Sequence, residues 1–199
     1  MTRRRHTRTG FTLMEVAVAA VLVAVLAAAT IPALSEFMRG RDAIATASTL
    51  SQIAAGIAQF KAAVTTGGSG SNTYPGFVSE LTHPISTSQR NSCYGTFNAT
   101  AVNRWLSNGP FVTFYIPPGG LNTPLGVIQD SMVRAPNSAT PGTLAIRMLV
   151  DSADALRLDQ VVDGGDGPIA GTLRATFFGS GGSPRGAELQ YLVPVAAKC

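Results

Sequence analysis

The feature that most constrains this chain is a run of 20 residues, 16–35, without a single charged side chain. At about 1.5 Å per residue, an α-helix of this length spans roughly 30 Å, the thickness of the hydrocarbon core of a bilayer. The run is rich in Val and Ala and lacks the heptad polarity of a coiled coil. The sequence therefore predicts a helix that crosses a membrane.

The residues in front of this run are strongly basic. Arginines occupy positions 3, 4, 5 and 8, and a basic flank favours retention of that end in the cytoplasm. The whole chain has 15 Lys and Arg against 11 Asp and Glu, a formal net charge of +4. Removal of those four arginines leaves 11 basic against 11 acidic groups. Because no basic cluster then remains, we expect no nucleic acid partner.

One acidic residue, Glu15, lies at the start of the apolar segment. A secretory signal peptide would use residues 16–26 as its apolar region and residues 27–29, three alanines, as its cleavage site. An uncleaved signal anchor would instead hold a plain extracytoplasmic domain. Neither alternative explains Glu15, because a carboxylate costs about 2.5–3.5 kcal/mol near the middle of a span and less near its end.

Gly10 followed by Phe11-Thr-Leu-Met-Glu15 resembles the prepilin leader of type IV pilins and type II secretion pseudopilins. The resemblance implies that prepilin peptidase cleaves after Gly10 and N-methylates Phe11. It implies that Phe11 and Glu15 form the assembly site, with Glu15 paired to the amine of a neighbouring subunit. Such a pair neutralises two charges inside an apolar bundle. Pro32 lies where the family commonly has a helix-kinking proline.

The same resemblance implies partners and a location. The partners are prepilin peptidase, homologous pilin or pseudopilin subunits in a helical filament, and the inner-membrane assembly platform. The location is the bacterial inner membrane, crossed once with the C-terminal domain in the periplasm, and then the pilus or pseudopilus at the cell surface. The long loops favour a minor component, and a tip subunit that binds a surface, DNA or a secreted substrate is the alternative.

Beyond the apolar run the pattern becomes amphipathic. Apolar residues recur at steps of three and four: Phe37, Ile44, Ala47, Leu50, Ile53, Ala54, Ile57, Phe60 and Val64. The sequence predicts one helix over residues 12–64, bent at Pro32 because proline lacks a backbone donor and clashes with the preceding turn. Its second half is expected to pack on a globular domain.

Residues 74–110 are predicted to be mostly loop, with a short helix over residues 99–107, and strands are predicted from residue 111 onwards. Strand candidates are 111–116, 143–150, 171–178 and 187–194, and 151–162 is either a helix or a strand continuation. The predicted fold is α+β, a long N-terminal helix packed on a C-terminal antiparallel sheet, as in pilins. The predicted divisions are a leader (1–10), a membrane or filament-core helix (11–35), an amphipathic half (36–66) and a globular domain (67–199).

Four polar side chains remain as candidates for covalent or metal chemistry. Cys93 and Cys199 are the only cysteines, and an even count in an exported domain predicts one disulfide, whereas a reducing compartment would leave two thiols. Asp163 and Asp166 flank glycines and are weak calcium candidates, as in a C-terminal loop of one type of pseudopilin. Their spacing does not match an EF-hand, and turn chemistry alone accounts for them.

The composition excludes most catalytic sites. His83 is the only imidazole outside the leader, so metal sites built on several histidines or cysteines are excluded. The chain has no phosphate-binding loop and no nucleophile with a recognisable base. We therefore expect a structural protein with no required cofactor, not an enzyme.

Overall fold

The computed structural model describes residues 12–65, 73–92, 95–134, 143–179 and 185–195. These residues form three α-helices, a short 3-10 helix and a six-stranded antiparallel sheet. The chain divides into two compact units between Arg39 and Gly40. The fold class predicted from the sequence is confirmed, while the four predicted domain divisions stay predictions.

Helix α1, Leu13–Val64, is 52 residues long, which confirms the predicted helix. From Thr12 to Arg39 every residue is exposed, and the most apolar stretch is long enough to cross a membrane. The hydroxyls of Thr30 and Ser35 donate to the carbonyls of Leu26 and Pro32, at 3.0 and 2.8 Å. The helix continues through Pro32, and the bend expected there stays a prediction.

The second half of α1 buries one stripe of its surface. The buried residues are Ala43, Thr46, Leu50, Ile53, Gly56, Ile57, Phe60 and Val64. The prediction was wrong for Phe37 and Ile44, which are 62% and 61% exposed. The buried face passes through the small residues Ala43 and Thr46 instead, because the helix repeat of 3.6 residues carries them onto the same line as Leu50.

The sheet is built around two long strands. The strands are β1 (Leu121–Thr123), β2 (Gly126–Ile128), β3 (Val133–Arg134), β4 (Thr143–Asp151), β5 (Leu173–Phe178) and β6 (Gly186–Pro194). Their order is β1-β2-β4-β6-β5, with β3 also paired to β4. Strands β4 and β6 pair over their full nine residues. The order places β6, the last of the described strands, between β4 and β5.

Three of the four predicted strands are confirmed, as β4, β5 and β6. The strand predicted over 111–116 is wrong, because the chain there forms bends and an extended loop. Phe111 and the next residue, Val112, are both buried, which a strand with one solvent face does not allow. The backbone N–H groups of Phe111 and Ile116 donate hydrogen bonds to Leu81 O and Thr82 Oγ1. These two donors are therefore satisfied without a neighbouring strand.

Two shorter helices begin at side-chain caps. Helix α2, Ala99–Asn108, confirms the predicted short helix, and the Asn98 side chain accepts a hydrogen bond from Ala101 N. Helix α3, Ser152–Val162, begins where Asp151 accepts one from Ala153 N. The segment that the sequence left open between helix and strand is therefore a helix.

A buried acid lies in the 3-10 helix Val78–Leu81. Glu80 is only 2% exposed, and its Oε2 accepts hydrogen bonds from Gly76 N and Phe77 N at 2.8 and 3.4 Å. Its Oε1 is buried without a partner. Burial raises the pKa of Glu80 to about 7, the two backbone hydrogen bonds oppose this rise, and the charge of Asp130 adds to it.

This pKa predicts a pH-dependent stability. Because the folded-state pKa of about 7 exceeds the ordinary value of 4.5, Glu80 contributes most below pH 4.5, and its contribution falls as the pH rises through 7. A Glu80→Gln chain cannot ionise there. The difference in free energy of unfolding between this variant and the wild type should therefore change by up to about 3 kcal/mol in favour of the variant as the pH rises from 5 to 9. Urea denaturation at each pH measures this difference.

Glu188→Gln is the matched control, because the contribution of Glu188 to stability should depend on pH in the opposite direction. Glu188 is paired with Arg147 at 2.6 Å, and this hydrogen bond lowers the pKa of Glu188. Its substitution should cost less than about 1 kcal/mol at neutral pH, and the cost should shrink as the pH falls below the ordinary pKa of 4.5. If the two variants respond alike to pH, the assignment of the pH dependence to Glu80 is wrong.

Candidate functional site

The first turn of α1 is closed by a reciprocal pair of side chains. Thr12 precedes the helix, and its backbone N–H and hydroxyl donate to Glu15 Oε2 at 2.9 and 3.0 Å. Glu15 N in turn donates to Thr12 Oγ1 at 3.3 Å. This arrangement is a capping box, which satisfies backbone donors that have no partner within the helix. The spacing Thr-x-x-Glu was visible in the sequence, but it was not recognised there as a cap.

Glu15 therefore has a local partner as well as the role that the resemblance implies. It is exposed and is the only charged residue between Thr12 and Ser35. The hydrogen bonds from Thr12 orient the carboxylate without neutralising its charge. A cation that approaches this end of the helix would meet an oriented carboxylate in an otherwise apolar surface.

Several predicted site residues lie outside the described residues. Gly10 and Phe11 precede Thr12, so the cleavage site and the methylated residue stay predictions. Cys93 and Cys199 also lie outside, in the segments 93–94 and 196–199. The disulfide between them stays a prediction as well.

The two aspartates predicted from the sequence are joined by a third. Asp159, Asp163 and Asp166 each place a carboxylate oxygen within 4.8 Å of the others. Asp159 is buried and Asp166 is exposed. The sequence analysis missed Asp159, although its position four residues before Asp163 predicts a shared helix face. These three side chains form the acidic cluster, in which one oxygen from each residue lies close enough to share a metal ion.

His83 lies among neutral partners. Its Nδ1 is 3.1 Å from Ser79 O and 3.1 Å from Thr82 Oγ1, and its Nε2 is 3.3 Å from the hydroxyl of Tyr115. Within the described part of the chain, no carboxylate hydrogen-bonds to this ring. A histidine that activates a hydroxyl is normally oriented by an acid, so this geometry favours a structural role.

Comparison with known proteins adds one match, at the N-terminal end. No curated protein and no solved structure matches this chain. Residues 5–31 match the family model described as the prokaryotic N-terminal methylation motif. The matched range includes Gly10, Phe11 and Glu15, and it extends into the exposed part of α1 as far as Ile31. The chain thus carries the N-terminal signal motif of type IV pilins and pseudopilins.

Proposed function

We propose that the protein is a pilin-like structural subunit that prepilin peptidase cleaves after Gly10 and that then enters a helical filament. The filament is a type IV pilus or a type II secretion pseudopilus, and the chain is a minor component of it. One observation carries the proposal: the methylation motif leads directly into a helix whose residues are all exposed as far as Arg39 and whose only charged residue before Glu36 is Glu15.

The exposed helix supports both stages of this function. A single helix can cross a membrane because its backbone hydrogen bonds are internal. The hydroxyls of Thr30 and Ser35 also donate to backbone carbonyls of this same helix. The same surface suits packing against like helices of neighbouring subunits. The subunit would first span the inner membrane once, with its C-terminal domain in the periplasm. The assembly platform would then extract it into the filament.

Glu15 is the proposed contact between subunits. Cleavage after Gly10 creates an amino group on Phe11, about one helical turn from Glu15 in the sequence. The capping box holds the Glu15 carboxylate at the helix start. Pairing with the amine of a neighbouring subunit would remove two charges from an apolar helix bundle and would fix the axial register of the subunits.

The proposal describes a structural subunit, not an enzyme or a nucleic acid binder. Without the arginines of the leader the charges balance, at 11 basic and 11 acidic groups. Since nucleic acid binding depends on neutralising phosphates with Lys and Arg, general capture of DNA is not expected of the mature chain. The neutral partners of His83 give no support to a hydrolase.

Processing is tested by the intact mass and N-terminal peptide of the protein from membranes of cells with and without prepilin peptidase. With the peptidase, the chain should begin at N-methylated Phe11. Without it, the chain should keep Met1. A chain that begins after Ala29 would identify a secretory signal peptide, and an uncut chain in both strains would identify a plain membrane anchor.

Two glycine substitutions test the position of the cleavage site: Gly10→Ile is the test, and Gly40→Ala is its matched control. Gly10→Ile places a β-branched side chain at the scissile bond and should leave the chain uncut. Gly40→Ala should be cut like the wild type, because a Cβ at Gly40 has no atom within 4 Å. If Gly10→Ile is processed normally, the assignment of the cleavage site is wrong.

The role of Glu15 is tested with substitutions that separate its charge from its cap. Gln at the same position can still accept a hydrogen bond from Thr12 N, as in other capping boxes, but it carries no charge. Glu15→Gln should therefore be processed and retained in membranes, while its amount in sheared filaments should fall at least about tenfold. Immunoblots of the sheared and membrane fractions measure this ratio.

Thr12→Ala is the control, because it weakens the cap and keeps the charge. Its filament fraction should stay within about twofold of the wild type, since loss of a cap costs only about 1 kcal/mol. If Glu15→Gln assembles normally and Thr12→Ala does not, Glu15 acts only as a helix cap, and the proposed contact between subunits is wrong.

A further inference from the structure

A cleft of about 270 Å³ lies where three segments of the globular part meet. Its walls are formed by residues 76–77, 90–92 and 131–133. Backbone hydrogen bonds hold these walls in place: Met132 N donates to Gly76 O at 3.1 Å, and Ser92 N donates to Tyr74 O at 3.4 Å. The cleft is therefore formed before any ligand binds, as is usual for binding sites.

Two polar side chains of the cleft have no partner in the described part of the chain. Ser92 is only 9% exposed, and its Oγ is buried without a hydrogen-bond partner. Arg90 is exposed, and its guanidinium makes no hydrogen bond or ion pair with any described residue. A buried hydroxyl without a partner is unfavourable, and an acceptor atom of a ligand would satisfy both groups.

The charge of the cleft is positive, because Arg90 is the only charged residue among the described residues that line it. Glu80 and Asp130 are close in sequence to the walls, but neither lines the cleft. Their carboxylates accept hydrogen bonds of 2.8 Å from Gly76 N and Ser79 N. One guanidinium matches one carboxylate, with which it forms two parallel hydrogen bonds. A phosphate group carries nearly two charges, so it would call for a second cation.

The remaining walls and the size of the cleft point to one apolar group beside this carboxylate. Phe77 is 39% exposed, and Met132 and Val133 also line the cleft. Sites for drug-sized molecules have volumes of roughly 300–1,000 Å³, so this smaller cleft suits a single residue. A free amino acid would also bring an ammonium group, for which the described lining residues offer no acid. The last residue of a peptide has a neutral amide in its place.

We propose that the C-terminus of a partner polypeptide binds in this cleft. Its carboxylate lies against Arg90 and Ser92, and its last side chain, an apolar one, contacts Phe77 and Met132. Capture of a terminal carboxylate is a recurring way in which proteins recognise peptides. The site does not depend on the proposed filament function.

Fluorescence anisotropy of the full chain in detergent tests the site. The probe is the peptide Gly-Ser-Gly-Ser-Leu with a dye on its N-terminus and a free carboxylate, and the control probe is the same peptide with a C-terminal amide. The free-carboxylate peptide should bind with a Kd of about 10⁻⁵ to 10⁻⁴ M, and the amide at least about tenfold more weakly. Equal binding of the two peptides, no binding of either, or displacement by free leucine as effective as that by unlabelled peptide overturns the proposal.

Two substitutions assign the binding to the cleft. Arg90→Gln should weaken binding of the free-carboxylate peptide at least about tenfold and should remove its preference over the amide. Ser92→Ala should weaken binding about threefold. It should melt no lower than the wild type, because the hydroxyl has no partner in the chain to lose. If both variants bind the peptide as the wild type does, the peptide does not bind in this cleft.

Arg41→Gln is the matched control, since Arg41 is exposed on α1 and does not line the cleft. It removes the same charge from the protein as Arg90→Gln does, and its Kd should stay within about twofold of the wild type. If the two variants weaken binding equally, the peptide responds only to net charge and the proposal is wrong.

Discussion

The globular part of the chain is organised by the burial of one stripe of α1, from Ala43 to Val64. Phe60 lies near the C-terminal end of this stripe, with its ring centroid 5.3 Å from that of Phe111 and 6.1 Å from that of Phe97. Complete burial of such a side chain stabilises the fold by about 1.5–3 kcal/mol. At Gly56 a Cβ would lie 2.6 Å from Val112 Cγ1, so only glycine lets the loop pass this close. The loop over residues 109–116 therefore takes its path from the helix surface and not from a neighbouring strand.

The two halves of this helix differ in how their apolar surface is satisfied. In residues 40–64 the apolar stripe is covered by other parts of the chain, and the exposed face is mixed, with polar residues such as Arg41 and Gln52 beside Ile44 and several alanines. In residues 12–39 every described side chain is exposed, although this half is the more apolar. Exposed apolar patches of this size mark a surface that lipid or other subunits cover. Within the described residues, the chain itself does not cover this surface, and Glu15 is its only charged residue before Glu36.

Elements with a strong local pattern were predictable from the sequence, whereas those fixed by distant contacts were not. The periodicity of α1 and the length of β4 and β6 identify these elements directly. Strands β1, β2 and β3 have only two or three residues each, too few to show an alternating pattern. The place of β6 between β4 and β5 depends on tertiary pairing. At the candidate sites, Glu15 was found from its motif, but Asp159 was missed because nothing in the sequence marks it as buried.

Two buried carboxylates of the described chain are satisfied to different degrees. Glu80 is a single acid with two backbone donors, and its pKa of about 7 lets one proton neutralise it near physiological pH. Asp159 lies within 4.8 Å of two further carboxylates, those of Asp163 and Asp166, and its Oδ1 is buried without a hydrogen-bond partner. Because like charges this close repel one another, the number of converging acids, more than the burial of any one, sets the electrostatic cost of this loop.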